Sequence, residues 1–386
     1  MGMVSSLWRF AALLLPLFAL LGGYVWWRAG SAFALSRRAR VGLAVLLASG
    51  LACSLASREL DISQHALAQW LGAYGAAVVI GVLLSALLLL PTELVRGLLR
   101  VAKPIAPERR AFLAQVASGS AIALGGGAAA YGTVFGRRDY TVETVAIALE
   151  KLPRTLDGLT IVQLSDLHVG TFIGERELAA ALSLVRDAKP DLVVLTGDLI
   201  DHDPAYAPML GRFARSLSTL TRFGTFAVPG NHDYYGGANA VIEQLERGGA
   251  QVLRDRHVRI GDAGGQLVLA GVDDIASIHY GRKGPRPTLA FDGAPDELAR
   301  VLLSHNPKTF ASLRQFADLT LSGHTHGGQI SLFVNPAELL LEHGRIRGHY
   351  ASEGAQLYVN RGFGTAGPPT RVGSPPEVTR LVLTRA

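Results

Sequence analysis

Five short apolar runs in the later part of this 386-residue chain each lead to side chains able to hold a metal or move a proton. Thr160–Leu164 is followed by Asp166 and His168, and Leu192–Thr196 by Gly197-Asp198. Thr225–Val228 is followed by Pro229-Gly230-Asn231-His232-Asp233. Val301–Leu303 leads to Ser304-His305, and Leu319–Leu321 to Ser322-Gly323-His324-Thr325-His326. A lone loop histidine is ordinarily a surface residue; five such endings in one chain form a pattern. Carboxylate, imidazole and amide oxygen suit Mn, Fe and Zn, and no thiolate is offered. Seven candidate ligands of this kind exceed the needs of one tetrahedral ion. They fit two five- or six-coordinate ions that share a carboxylate. Two ions about 3.5–4 Å apart clamp the attacking and leaving oxygens of a phosphoryl displacement. They also bring the pKa of a shared water toward neutrality, so hydroxide exists at working pH.

Such groups need rigid supports. In α/β sheets, ligand sites gather at the carboxyl ends of the strands. Gly197, Gly230 and Gly323 stand just before the polar residues, where glycine permits a sharp turn and close backbone approach. Glu175–Ala188 carries leucines and alanines at helical spacing, with acids early and Arg186 late. Short apolar runs alternating with amphipathic stretches predict an α/β layer fold after residue 139.

Asp166-Leu167-His168, Gly197-Asp198-Leu199-Ile200-Asp201, Gly230-Asn231-His232-Asp233, His305 and Gly323-His324-Thr325-His326 resemble the motif blocks of the calcineurin-like metallophosphoesterases. Order and separation match across about residues 158–330. The tail, Asn360-Arg361-Gly362 through Gly367-Pro368-Pro369 to Ser374-Pro375-Pro376-Glu377, resembles the bacterial membrane-associated YkuE/YaeI-type phosphodiesterase branch. The resemblance implies an α/β fold, a two-sheet β-sandwich flanked by helices, over residues 158–386. Residues 137–157 would be a linker and first strand. It also implies roles. Asp166, His168 and His326 would hold the first metal, and Asn231, His305 and His324 the second, with Asp198 bridging both. His232 would touch the phosphate and protonate the leaving oxygen, and Asp233 would orient and charge-tune His232. Asp201 suits a capping or supporting role as well as direct contact.

Further residues carry weaker signals. Arg361 and Arg371 are candidates for gripping substrate phosphate, since a guanidinium makes paired contacts to an oxyanion. Tyr234-Tyr235 would either wall the metal site or pack. Arg282–Ala299, with Pro285 and Pro287, is a candidate substrate-facing loop. His202 reads as a rim residue, and His279, His343 and His349 as surface residues.

Composition bounds the rest. Apolar residues make up 49% and charged residues 18% of the chain, which excludes a disordered protein. One cysteine, Cys53, excludes a disulfide framework, a cysteine zinc site and a CxxC redox centre. Residues 1–135 carry 11 Lys and Arg against 4 Asp and Glu, leaving 26 against 27 for the remainder. The basic character therefore lies in the first third, and a nucleic-acid partner is not expected. That third holds four stretches without charge: Phe10–Trp27, Val41–Ser57, Ile62–Thr92, with Pro91 closing its apolar part, and Ala111–Gly136. A bilayer core needs about 20 apolar residues in a helix, so residues 1–136 read as a membrane region with about four spans. Arg28, Arg37, Arg38, Arg40, Arg96, Arg100, Lys103, Arg109 and Arg110 fall on one side of these spans. Arg9, Arg58, Arg137 and Arg138 fall on the other. By the positive-inside rule the N-terminus and the catalytic part lie outside the cytoplasm. Arg109-Arg110-Ala111-Phe112-Leu113 resembles a twin-arginine export signal as well as ordinary flanking charge.

Together these readings predict a multi-pass protein of a bacterial cytoplasmic (inner) membrane. It would be a dinuclear metal-dependent phosphohydrolase, a phosphodiesterase first, using metal-bound hydroxide on an extracytoplasmic or membrane-associated phosphoester. The substrate could be lipid-linked, and the twin-arginine export machinery is a candidate partner. One rival is a cytoplasm-facing UDP-sugar-lipid pyrophosphatase. Another is a non-catalytic metal-binding envelope protein, which would need no proton donor such as His232.

Overall fold

The computed structural model describes residues 2–60, 65–101, 106–332, 335, 338 and 344–386, with backbone alone for 2–14, 65, 99–101 and 107. Residues 62–64 of the third uncharged stretch, Lys103 and His343 lie outside the described residues. The chain divides into two compact units. One runs to Arg137 and includes Pro368–Val372; the other is Arg138–Gly367 with Gly373–Ala386.

The first unit is helical: α1 (Gly2–Ala32), α2 (Arg37–Ala56), α3 (His65–Val101) and α4 (Pro107–Val134). Among the described residues, Arg37–Ala56, Ala66–Leu98 and Glu108–Arg138 are long and apolar enough to cross a membrane. α1 carries the first uncharged stretch within 31 helical residues. Pro91 does not end α3, which continues to Val101. Helices of this kind tolerate proline because neighbours satisfy the freed backbone groups. Small residues let the helices approach closely. A Cβ on Gly75 would meet the Ser54 backbone N at 2.4 Å, and one on Gly125 would meet that of Ser85 at 2.4 Å. Arg28 is no free flanking charge: it is buried in α1 and ion-paired with Glu93 of α3 at 2.7 Å. Its Nη2 also donates to Ser118 Oγ of α4 at 2.6 Å. Arg109 and Arg110 are exposed in the first turn of α4.

The second unit is built on two six-stranded sheets. Its strands are β1 (Thr141–Leu149), β2 (Thr160–Leu164), β3 (Leu192–Thr196), β4 (Thr225–Val228), β5 (Ala250–Val252), β6 (Arg256–Asp262), β7 (Gly265–Gly271), β8 (Arg300–Leu303), β9 (Leu319–Ser322), β10 (Gly348–Ser352), β11 (Ala355–Val359) and β12 (Glu377–Arg385). The first sheet has the order β1-β12-β2-β3-β4-β5, and the second β10-β11-β9-β8-β7-β6. β2 through β5 run parallel, as do β7, β8, β9 and β11. β2 and β3 are buried at every residue, as strands covered on both faces must be.

Side chains alternate between two cores. Ile161, Leu192 and Val194 face the second sheet and meet Leu267, Leu269, Val301, Leu303, Leu319 and Leu321. Val162, Leu164, Val193 and Leu195 face the helices α5 (Glu175–Asp187), α6 (Ala207–Ser218) and α8 (Ala238–Arg247), α7 being the short Asn231–Tyr235. α6 shows why it docks: Leu210, Phe213, Ala214 and Leu217 repeat at three- and four-residue spacing and are all buried. On the far face of the second sheet, Val268, Ala270 and Leu302 pack under Ala290 and Leu313. The result is helix, sheet, sheet, helix. β1 extends the first sheet by pairing in parallel with β12 over Thr141–Leu149. Gln163 ties the sheets beneath the site, donating to Thr196 Oγ1 and to the Ser322 carbonyl, both at 2.9 Å.

Candidate metal centre

Each expected ligand stands just past the carboxyl end of a parallel strand. β2 delivers Asp166 and His168, β3 Asp198, β4 Asn231 and His232, β8 His305, and β9 His324 and His326. The loops lock to one another through their backbones. The Asp166 N–H donates to the Gly197 carbonyl at 2.9 Å and that of His168 to the Asp198 carbonyl at 3.0 Å. The Gly323 N–H donates to the His305 carbonyl at 2.9 Å. Asp166, His168, Asp198, His324 and His326 all have φ between 47° and 72°. Each such left-handed residue costs roughly 1–2 kcal/mol, a strain the surrounding loops must hold. Glycine spacing is equally enforced. Gly197 has φ 87°, and a Cβ there would lie 2.6 Å from His305 Nδ1. At Gly323 a Cβ would fall 1.8 Å from Ser165 Oγ.

Three groups of donors result: Asp166, His168 and His326; His168, Asp198 and His232; and Asp198, His305 and His324. Within each group the donor atoms lie within 4.8 Å of one another. His168 Nε2 faces His326 Nε2 at 3.1 Å, and His324 Nδ1 faces His305 Nε2 at 3.2 Å. His305 Nδ1 donates to the Thr196 carbonyl at 2.8 Å, which leaves Nε2, 3.2 Å from Asp198 Oδ2, as the ring nitrogen turned to the site. Asn231 Oδ1 is buried without a hydrogen-bond partner.

The charges act on one another strongly. Burial pushes the Asp198 carboxyl up, but His305, His168 and His232 outweigh it and hold it below the ordinary carboxylate range. Burial pulls the His305 imidazole down, yet Asp198 and Asp166 hold it well above its ordinary range. His324 is lowered by burial and by the charge of His305. Burial also pulls His232 down, but Asp201 and Asp198 raise it to about 9.

A sequence profile of the calcineurin-like phosphoesterases matches residues 159–328. The metallophosphoesterase YkuE of Bacillus subtilis is 33% identical over 277 residues, covering 68% of this chain and 92% of that protein. The chain belongs to the calcineurin-like metallophosphoesterase family. A metallophosphoesterase of Aquifex aeolicus is 35% identical over 246 residues, 63% of this chain and 90% of its own. A Danio rerio transmembrane protein with a metallophosphoesterase domain is 35% identical over 269 residues, or 67% of this chain. This chain spans only 60% of that relative's length.

As a calcineurin-like metallophosphoesterase the protein is a hydrolase of phosphoric esters in a metal-dependent family. Its own residues fit a metal. Facing imidazole nitrogens, a His305 ring held through Nδ1 and an orphaned amide oxygen are what a cation would satisfy.

Several expectations change. Asp233 does not orient His232. Its Oδ1 accepts from the Leu199 and Ile200 N–H groups at 2.8 and 3.1 Å, and its Oδ2 from the Gly230 N–H at 2.8 Å. It braces the loops, and burial with the nearby Asp198 charge raises its carboxyl to about 6. The His232 ring turns to Asp201, donating from Nδ1 to its carbonyl at 2.7 Å with its carboxylate 3.5 Å away. Arg361 is committed to Glu143 at 2.6 Å and Glu377 at 2.7 Å, so its guanidinium is not offered to a phosphate. Arg371 is fully buried, counted with the helical unit, and its N–H donates to the Gly132 carbonyl at 3.1 Å.

A cleft of about 300 Å³ opens beside the metallophosphoesterase centre. Asn231 and His324 line it together with Tyr235, Asp274, Ile275, Ala276, His279, Asn306 and Lys308. Asp274, Asn306 and Lys308 were not singled out above. Asp274 had a readable signal: it follows the apolar run of β7 as the other acids follow theirs. It is buried, and its Oδ2 has no hydrogen-bond partner.

Proposed function

We propose that this protein is a membrane-anchored phosphohydrolase that uses two divalent ions, Mn, Fe or Zn, to cleave a phosphodiester outside the cytoplasm of a bacterial cell. One observation carries the reading: Asp198 belongs both to a group with His168 and to a group with His305 and His324. A carboxylate shared between two sets of donors is what a pair of ions requires. Asp166, His168 and His326 would hold one ion and Asn231, His305 and His324 the other. Bound ions would supply an activated water and offset the charge growing on the phosphoryl oxygens. His232 keeps Nδ1 on the Asp201 carbonyl, which leaves Nε2 to meet the phosphate and give the leaving oxygen a proton. An alkoxide leaving group gains most from such an acid, and a phosphodiester is the first ester of that kind assigned to the site. The excess of Lys and Arg on one side of the spans supports an extracytoplasmic domain, and the exposed Arg109-Arg110 pair supports export through the twin-arginine machinery.

The test uses the full chain, stripped of metal and reloaded with Mn. Bis(4-nitrophenyl) phosphate should turn over faster than 4-nitrophenyl phosphate. His232→Ala should lower kcat by about 10²–10⁴-fold toward a diester with an alkyl leaving group, and much less toward the 4-nitrophenyl esters, while the metal content stays near wild type. Equal loss of metal and activity would refute the proton-donor role.

A further inference from the structure

Among its described residues the sandwich exposes five large apolar side chains: Val142, Tyr235, Ile278, Tyr280 and Leu289. Three of them gather at the cleft. Tyr235 lines it, and the Tyr280 ring lies 6.3 Å from that of Tyr235. Ile275–Tyr280 is a 3-10 helix, in which residues three apart eclipse. Ile278 therefore stands over Ile275, a lining residue, and carries the same wall outward. Scattered apolar residues need no explanation, but a group at the mouth of a cleft does.

The segment bearing this group is tied down at both ends. Asp273 is fully buried and accepts from Tyr234 Oη, Arg254 and Arg282. Asp255, also buried, accepts from the Asp273 N–H at 3.2 Å and from the Arg286 N–H and Nε at 3.0 and 2.9 Å. Pairing of this kind offsets the cost of burying a carboxylate. Between these anchors Ile278 and Tyr280 are exposed. The lining of the cleft also has a polar part, with Asp274, Asn306 and the exposed cation Lys308.

We infer that the phosphoester taken by this site is amphipathic, with its anionic end at the metal residues and Lys308 and an apolar group lying against Ile278, Tyr280 and Tyr235. The inference rests on the phosphodiesterase reading above and names its substrate class.

The experiment uses the full chain in phosphatidylcholine nanodiscs, loaded with Mn, and 4-nitrophenyl diesters with methyl, propyl and pentyl as the second group. The value of kcat/KM should rise about two- to fourfold per added methylene, mainly through KM. The double variant Ile278→Ser/Tyr280→Ser should flatten that slope, whatever its absolute rate, and Ile278→Leu should keep it. Calorimetric binding of methyl-, propyl- and pentylphosphonate reads the same slope without turnover. A methyl diester cleaved with no dependence on length overturns the inference and leaves the phosphodiesterase reading intact. An equal slope in wild type and double variant also overturns it, because the longer esters would then be partitioning into lipid. If no diester is cleaved by the metal-loaded chain, the phosphodiesterase reading falls, and the phosphonate slope alone decides the amphipathic ligand.

Discussion

His305 concentrates the chemistry of single residues. Its Nδ1 proton is committed to the Thr196 carbonyl, and the Asp198 and Asp166 charges, which hold its pKa above the ordinary imidazole range, favour a second proton on Nε2 when no metal is bound. A metal must displace that second proton. Affinity should therefore rise with pH up to the range where the metal-free imidazole titrates, and each binding event near pH 7 should release protons. Calorimetry in buffers of different ionisation enthalpy checks this; buffer-independent heats would contradict it. The ligand identities were legible because each follows its strand within a few residues, so local order carried the information. The partner of His232 was not. Asp201 and Asp233 are both close in sequence to plausible loop positions, and only the packing of the β3 and β4 loops decides which meets the ring.

At the scale of elements, the strand ends act as mounts whose geometry is set by close approach. Gly323 is the clearest case, since a methyl group there has Ser165 Oγ at 1.8 Å and Asp166 Oδ2 at 2.3 Å. Gly323→Ala should cost about 1–3 kcal/mol through overpacking and lower the thermal midpoint of the sandwich by roughly 2–10 °C, read by circular dichroism. A midpoint unchanged from wild type would show that the loop relaxes freely. The order of strands and helices was readable from periodicity. The loop at Asp273–Arg286 was less so, because its anchoring depends on Asp255, Arg254 and Tyr234, which are remote in sequence. Pro91 misled because proline need not end a helix that packs among other apolar helices.

For the whole molecule, the question is which face of the bilayer the sandwich occupies. A reporter active only outside the cytoplasm, fused after Ala386, should be active. Replacing Arg109 and Arg110 by Lys should abolish that activity if the twin-arginine route is used, and leave it intact if the pair is only flanking charge. A reporter active only in the cytoplasm would overturn the topology. Charge asymmetry and uncharged stretches made the helical part legible. The ion pair from Arg28 to Glu93 was hidden, since Arg28 read as ordinary flanking charge and its partner is remote in sequence. The interlocked backbones of the ligand loops carry a last consequence. Asp166 leans on Gly197, His168 on Asp198 and Gly323 on His305, so none of these loops can shift without releasing its neighbour. The rim between Asp274 and Arg286 shares none of those bonds, being pinned through Asp255 and Asp273 instead. Substitutions can thus accumulate at the rim and retarget the enzyme to new esters while the reaction is inherited unchanged.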